Sequence, residues 1–179
     1  ADAIFELSAS MDASGAASDG WLSTGFMYKN DGNTSYPSSN EKFTAGNGIS
    51  TMIYRGTNKV DIFADTETGG ADPNSPYTLT AGFHDFTVRL DFSDYDAGAG
   101  NYGNASFYLD GDLKYTYTYP ADYLDSSGDQ IDYIGISNLN ASSPSTYKSL
   151  TFSQVPEPSS FLLLGIGGLL LMRRPRRRG

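Results

Sequence analysis

Hydrophobic and polar residues alternate along most of this chain with a period of two. The clearest example is HDFTVRLDF, where one face carries His84, Phe86, Val88, Leu90 and Phe92, and the other face is polar. A period of two with one apolar and one polar face is typical of a strand in an antiparallel sheet. The pattern therefore predicts a strand that contributes one face to a hydrophobic core.

Eight further segments have strand-like patterns. They are IFELSA, WLSTGFMYK, GISTMIYR, KVDIFAD, NASFYL, LKYTYTY, IDYIGIS and YKSLTFS. Clusters of Gly, Asn, Asp, Ser and Pro separate them, and no stretch of ten residues has the three-and-four spacing of an amphipathic helix. Nine short strands predict an all-β domain of two packed antiparallel sheets.

The segment NASFYLDGDLKYTYTY predicts a β-hairpin with two competing registers. Asp110-Gly111 suits a two-residue type I′ turn, which requires positive φ at both residues and pairs Tyr108 with Leu113. A three-residue loop from Asp110 to Asp112 instead brings a larger apolar set to one face. That set is Phe107, Leu109, Leu113, Tyr115 and Tyr117. Turn chemistry favours the first register, and the hydrophobic pattern favours the second.

Three consecutive segments resemble a known fold family. HDFTVRLDF, ASFYLDGDLKYTYTY and IDYIGISN are similar to the later strands of concanavalin-A-like lectin/glucanase and laminin-G-like jelly rolls, including their Asp-Gly hairpin. The resemblance implies an antiparallel two-sheet jelly-roll sandwich over residues 1–154. A fold of this kind hosts lectins, hydrolases and adhesion modules, so it does not determine the function.

Charge divides the chain into an acidic body and a basic end. Residues 1–154 hold twenty Asp or Glu and seven Lys or Arg, a net charge of −13. Such a surface repels phosphate backbones, so nucleic acid is not an expected partner. The chain has no cysteine and therefore no disulfide, thiolate metal site or cysteine nucleophile. The opening ADAIFELSAS fits either a mature end left by cleavage or a simple boundary of the sequence.

Catalytic candidates are few, and we expect a protein that is not an enzyme. The jelly-roll glucanases carry Glu-x-Asp-x-x-Glu on one strand, and none of the four glutamates fits this pattern. An aspartate pair can still supply the two carboxylates, about 5–9 Å apart, that glycoside hydrolysis requires. The candidates are Asp91, Asp94 and Asp96 in DFSDYD, and Asp125, Asp129 and Asp132 in DSSGDQID. Solvated loops are the simpler interpretation of both segments, and the single histidine, His84, is expected to be half-buried and structural.

Loop residues supply candidate binding groups. Clustered Asp and Asn oxygens suit Ca²⁺, which the jelly-roll resemblance implies near a binding edge. The candidate ligands are Asp94, Asp96 and Asn101, with Asp125 and Asp129 as a second group. Tyrosine rings can stack on pyranose rings, and we expect Tyr36, Tyr95 and Tyr102 to be exposed in loops. Carbohydrate binding through these tyrosines, with Ca²⁺ as an optional cofactor, is one hypothesis.

The end of the chain departs from the strand pattern. Residues 161–172, FLLLGIGGLLLM, would span about 18 Å as a helix, whereas a bilayer core of about 30 Å needs roughly 20 residues. Pro156, Glu157 and Pro158 precede this run and prevent further strand pairing. Five arginines follow it and orient the C-terminus towards the cytoplasm by the positive-inside rule. They are Arg173, Arg174, Arg176, Arg177 and Arg178.

These three parts, in this order, resemble the PEP-CTERM sorting signal. The resemblance implies that residues 155–179 are recognised by exosortase, a membrane enzyme of Gram-negative bacteria that cuts near Pro156, Glu157 and Pro158. It also implies export, transient anchoring in the inner membrane through residues 161–172, and association with exopolysaccharide and biofilm. We therefore expect a surface or matrix protein with extracellular polysaccharide as its candidate ligand. The alternatives are a polysaccharide hydrolase or lyase with an aspartate pair, and a purely structural matrix or adhesion protein.

Overall fold

The computed structural model describes residues 3–16, 20–28, 48–64, 72–120, 131–139 and 145–155. These residues form ten β-strands and no helix. The strands are β1 (Ile4–Asp12), β2 (Trp21–Tyr28), β3 (Gly48–Arg55), β4 (Lys59–Phe63), β5 (Tyr77–Thr78), β6 (His84–Asp91), β7 (Asn104–Leu109), β8 (Asp112–Thr118), β9 (Ile131–Leu139) and β10 (Thr146–Val155).

The strands pair into two antiparallel sheets of five. Sheet A has the order β10-β1-β6-β7-β8, and sheet B has the order β5-β4-β3-β2-β9. The predicted all-β, two-sheet sandwich is confirmed, and each of the nine predicted strands is present. The expected C-terminal helix lies outside the described residues.

The strand missed by the sequence pattern is β5. It consists of only Tyr77 and Thr78, which pair with Val60 and Lys59 at the edge of sheet B. Two residues are too few to display a period of two, so pattern reasoning has nothing to detect here.

The core lies between the two sheets, and alternation determines which residues enter it. In β6, Phe86, Val88 and Leu90 are at most 1 % exposed, and the ring centroid of Phe86 lies 5.6 Å from that of Tyr54 in sheet B. Full burial of a side chain of this size stabilises the fold by about 1.5–3 kcal/mol. The predicted inward face of β6 is therefore the centre of the hydrophobic core.

The hairpin between β7 and β8 has the two-residue turn. Asp110 and Gly111 have φ angles of 52° and 82°, and Tyr108 pairs with Leu113. This places Leu113 on the outer face of the sheet, where it is 55 % exposed. The alternative register, which grouped Leu113 with the apolar set, is wrong for this residue.

A β-bulge then restores the apolar pattern of β8. The register shifts after Tyr108, so that Lys114 is passed over and Phe107 pairs with Tyr115. Tyr115 and Tyr117 return to the inner face and pack against the buried cluster. The turn chemistry and the hydrophobic pattern are thus both satisfied, at the cost of one extra residue in β8.

A tyrosine joins the two sheets at the edge formed by β9 and β10. The hydroxyl of Tyr147 accepts a hydrogen bond from the amide of Ser23 at 3.2 Å and lies 2.6 Å from the carbonyl oxygen of Ser137. Burial raises the pKa of Tyr147, although these backbone hydrogen bonds oppose the rise. Tyr147 therefore fixes β10 of sheet A against β2 and β9 of sheet B.

Candidate functional site: a hydroxyl-lined groove

A polar groove of about 390 Å³ crosses the outer face of sheet A. The strand register builds it, because Ser8 pairs with Thr151 on one side and Thr87 on the other. Two residues further along β1, Ser10 pairs with Ser149 and with Asp85 in the same way. Paired side chains share a face of the sheet, so two rows of three polar side chains lie next to each other. The polar lining is Ser8, Ser10, Asp85, Thr87, Ser149 and Thr151.

Most of this lining is available to a ligand. The hydroxyls of Ser8 and Thr87 bond to each other at 2.8 Å. Within the part of the chain that the structure describes, the side chains of Ser10, Asp85, Ser149 and Thr151 form no hydrogen bond or ion pair. Among the described residues, the groove therefore presents two exposed hydroxyl groups, those of Ser149 and Thr151, and the exposed carboxylate of Asp85 without hydrogen-bond partners. Ser10 adds a third unpaired hydroxyl but is only 8 % exposed.

The hairpin tip closes one end of the groove and is held in place by Asp110. Its carboxylate accepts a hydrogen bond from the Asp85 amide at 2.9 Å and lies 2.7 Å from Nδ1 of His84. The other ring nitrogen of His84 lies 3.0 Å from the carbonyl oxygen of Thr80. Both neighbours of the ring are acceptors, so both ring nitrogens donate when His84 is an imidazolium.

The pKa shifts of His84 and Asp110 agree with an imidazolium at His84 and a carboxylate at Asp110. Burial lowers the pKa of His84, but the hydrogen bonds to Asp110 and Thr80 and the charges of Asp110 and Asp12 outweigh it and hold the pKa above its ordinary value. Burial raises the pKa of Asp110, whereas the Asp85 amide, His84 and Lys114 lower it to a net value below the ordinary one. The His84 side chain is only 12 % exposed, so it is more deeply buried than the half-buried histidine that the sequence predicted.

The arrangement suits hydrogen bonding to a ligand better than bond cleavage. Glycoside hydrolysis needs two carboxylates about 5–9 Å apart, one of them free to accept or donate a proton. Asp85 is the single carboxylate of the groove lining, and the neighbouring Asp110 is held by His84 and the Asp85 amide. Hydroxyl groups together with one carboxylate can instead satisfy the adjacent hydroxyls of a polyol.

The predicted calcium ligands lie together in one loop, but this loop is separate from the groove. Asp94, Asp96 and Asn101 lie in the loop between β6 and β7, where Asp96 and Asn101 form a β-bridge. The Asp96 carboxylate accepts the Ala99 amide at 3.1 Å, and the Asn101 side chain donates to the Asp94 carbonyl at 2.6 Å. These contacts brace the loop. No group of three or more His, Cys, Asp or Glu suited to a metal ion occurs among the described residues.

The predicted sugar-binding tyrosines are less exposed than expected. Tyr95 and Tyr102 are half-buried and pack against the core, because the bridged loop folds back over the end of the sandwich. Tyr36 lies outside the described residues. The loop follows the opposite end of β6 from the groove, and Asp91 at that end lies four residues, or about 13 Å, beyond Thr87 in the groove lining. These residues and the groove therefore form separate candidate sites.

Of the two predicted groups of aspartates, only the one in DFSDYD lies among the residues whose side chains the structure describes. The carboxylate of Asp91 accepts hydrogen bonds from the amide and hydroxyl of Ser93, at 3.0 and 2.6 Å, which is a loop-bracing role. Asp125 and Asp129 lie outside the described residues, as does the side chain of Asp132.

Sequence reasoning missed the groove, although a signal for it was present. In IFELSASM, Ser8 and Ser10 alternate with the inward residues Leu7, Ala9 and Met11 and so had to face outward. The sequence pattern does not show which strands lie on either side of β1. Thr87 and Thr151 become neighbours of Ser8 only through the β10-β1-β6 order.

The last described strand ends at Val155, immediately before Pro156, Glu157 and Pro158. The prolines, the hydrophobic run 161–172 and the arginine cluster lie outside the described residues, within which no helix is long and apolar enough to cross a membrane. Residues 154–178 match the PEP-CTERM protein-sorting motif. This sorting motif implies a secreted surface protein that is anchored transiently in a membrane and processed by exosortase.

Comparison with known proteins also bears on the sandwich. No curated protein matches the chain. A solved structure, the potassium-bound carbohydrate recognition domain of Emp46p, superposes with a TM-score of 0.53 and 13 % sequence identity, over 85 % of this chain and 71 % of that chain. The match shows that this chain has a β-sandwich fold similar to that of a lectin domain.

Proposed function

We propose that this chain is a non-enzymatic surface or matrix protein of a Gram-negative bacterium whose sandwich binds extracellular polysaccharide. In this proposal residues 1–154 are the binding domain, and residues 155–179 are the sorting signal that exosortase removes. The hydrophobic run 161–172 holds the precursor in the inner membrane with its arginines on the cytoplasmic side. The sorting motif and the lectin-like fold support the proposal, and exopolysaccharide of a biofilm is the expected setting.

The observation that carries the ligand class is the double row of polar side chains in the groove. Hydroxyl groups both donate and accept, and a carboxylate can accept from two adjacent hydroxyls of one sugar ring. Tyr108 pairs with Thr87 in the next strand and adds an aromatic ring beside the groove. The net charge of −13 on residues 1–154 disfavours anionic polymers. A neutral glycan therefore fits the groove best.

The predicted loop site remains a second proposal within the same function. Tyr95 and Tyr102, with Tyr36, are the proposed stacking residues, and Asp94, Asp96 and Asn101 are the proposed Ca²⁺ ligands. Because the Emp46p domain was solved in a potassium-bound form, the effect of a cation on ligand binding should be tested for this loop. Because the loop and the groove lie at opposite ends of β6, single substitutions can separate the two sites.

The test is a glycan-array screen of the full chain, with and without Ca²⁺, followed by titration of any ligand found. Asp85→Asn should weaken binding about tenfold or more, since hydrogen bonds to a charged group contribute about 1.5–3 kcal/mol. The matched control Asp112→Asn, an exposed carboxylate that belongs to neither proposed site, should bind like the unmodified chain.

Each other outcome contradicts the groove as the binding site. Loss of binding in Asp94→Asn alone, or on removal of Ca²⁺, would move the site to the loop. A silent array would favour the structural matrix protein, and shortened glycans after incubation would favour the hydrolase or lyase.

A further inference from the structure

Four large apolar side chains are exposed along one edge of the sandwich. Ile134 and Ile136 on β9 are 42 % and 38 % exposed, and Leu150 and Phe152 on β10 are each 47 % exposed. The two strands are the last strands of sheets B and A, and the Tyr147 hydroxyl joins them on the same side of the molecule. We call these four residues the edge groove.

The side chains of the edge groove face the space between the sheets. Leu150 pairs with Ala9 and Ile134 pairs with Phe26, and both partners are buried core residues. The ring of Phe152 stacks on that of Phe5 at 6.1 Å and meets that of Phe26 edge-on at 6.5 Å. The edge groove is thus a continuation of the core that the sheets leave uncovered.

An uncovered apolar strip beside an edge strand calls for an occupant. Eight of the ten residues of β10 are exposed, and Lys148 is its single charged residue, so the edge carries little of the charge that usually prevents pairing. The chain itself supplies an apolar segment nearby. Residues 161–172 begin six positions after the end of β10 at Val155.

The length of the connection allows this segment to reach the edge groove. Residues 156–160 span at most about 17 Å when extended. Leu150 lies five residues before Val155, which is also about 17 Å along a strand. The hydrophobic segment can therefore turn back beside β10 and lie along the edge groove, and its tether gives it an effective concentration on the order of millimolar.

Charge favours the chain's own tail over a second copy. Residues 155–179 contain five arginines and one glutamate, a net charge of +4, whereas residues 1–154 carry −13. The tail is attracted to the body, and two bodies repel each other. Docking would also remove apolar surface of both the tail and the edge groove from water.

We propose that residues 161–172 dock in the edge groove of their own chain before they enter the membrane. The sorting segment then has two alternative partners, the sandwich edge and the bilayer. Cleavage near Pro156, Glu157 and Pro158 leaves the edge groove open in the mature protein.

The absence of cysteine allows a clean proximity test in the full chain. The double variant Leu150→Cys/Leu164→Cys should form an intramolecular disulfide at least about tenfold faster than Leu113→Cys/Leu164→Cys, because docking raises the local concentration of the two thiols. The control leucine is matched in exposure, at 55 % against 47 %, and lies on the outer face of the hairpin. Equal rates would overturn the proposal. A disulfide-linked dimer would also overturn it, because it would mean that a second copy of the chain, and not the chain's own tail, occupies the edge groove.

A second measurement needs no change in the sandwich. Backbone hydrogen exchange of β9 and β10 should be slower in the unmodified chain than in a chain with Leu162→Ser, Leu163→Ser and Leu164→Ser in the tail. Exchange of the β7–β8 hairpin, which is remote from the edge groove, should be the same in both chains. Identical exchange in β9 and β10 would overturn the proposal.

Discussion

Strands β6 and β10 belong to the same sheet and have similar patterns, yet their surroundings differ. In β6 the inward residues Phe86, Val88 and Leu90 are at most 1 % exposed, whereas in β10 Leu150 and Phe152 are each 47 % exposed. β6 lies between β1 and β7, and β10 is the last strand of sheet A. Alternation therefore determines which face of a strand turns inward, while the position of the strand in the sheet determines how completely that face is covered.

We call the sheet around β6 the closed region and the β9–β10 edge the open region. The largest expected difference between them is in the free energy of unfolding that is lost when an aromatic ring is removed. Phe107 is fully buried on β7, where its ring stacks on that of Tyr115, so Phe107→Ala should lower the free energy of unfolding by about 3–5 kcal/mol. With no tail docked in the edge groove, as in a chain cut near Pro156, Phe152 loses only about half of its surface, so Phe152→Ala should cost about 1 kcal/mol. Urea unfolding of the two variants, followed by tyrosine fluorescence and circular dichroism, measures both values. Equal costs would mean that the β9–β10 edge is covered in solution.

Backbone packing in the closed region can be tested at a glycine. Gly103 has a φ of 90°, and a Cβ there would lie 2.5 Å from Cδ1 of Phe92 and 2.7 Å from the Asp91 carbonyl oxygen. Gly103→Ala should therefore destabilise the protein by about 2–4 kcal/mol, the sum of a left-handed backbone and an overpacked ring.

Gly100 provides the matched control for this variant. Its φ is 74°, and a Cβ there would have no heavy atom within 4 Å. Gly100→Ala should therefore carry only the backbone cost, about 1 kcal/mol. Thermal unfolding of both variants isolates the packing contribution as their difference, and no difference would mean that Phe92 moves aside freely.

The sequence predicted features that depend on neighbouring residues. The inward face of β6 was correct because alternation is a local property, and the sorting motif was recognisable because its prolines, apolar run and arginines are contiguous. The hairpin was predicted with two registers, and a bulge at Lys114 reconciled the turn with the apolar pattern. No pattern in the sequence marked that bulge.

Features that depend on distant residues could not be predicted in the same way. The groove exists because Ser8 meets Thr87 and Thr151, which are far from it in the chain. Tyr95 and Tyr102 were expected to be exposed because they lie in a loop. The Asp96–Asn101 bridge folds that loop onto the core, and such closure follows from three-dimensional contacts rather than from local composition.

The smallest expected effect concerns pH and again separates the two regions. The raised pKa of His84 means that its bond to Asp110 contributes fully below about pH 6.5, the ordinary value for histidine, and is lost as pH rises through the raised value. The lowered pKa of Asp110 means that its contribution is present above about pH 4 and is lost as pH falls through the lowered value. The difference in unfolding free energy between the native chain and Asp110→Asn should therefore be greatest between about pH 4 and 6.5.

The size of this difference should be about 1 kcal/mol, because the Asp110 side chain is 47 % exposed and solvent screens the pair. Asparagine tolerates the positive φ of the turn, so the variant removes the charge and keeps the hairpin. Phe152→Ala is the control from the open edge, and its unfolding should follow the same pH profile as the native chain. Parallel profiles for Asp110→Asn and the native chain would show that the pair contributes nothing to the closed region, which would then depend on packing alone.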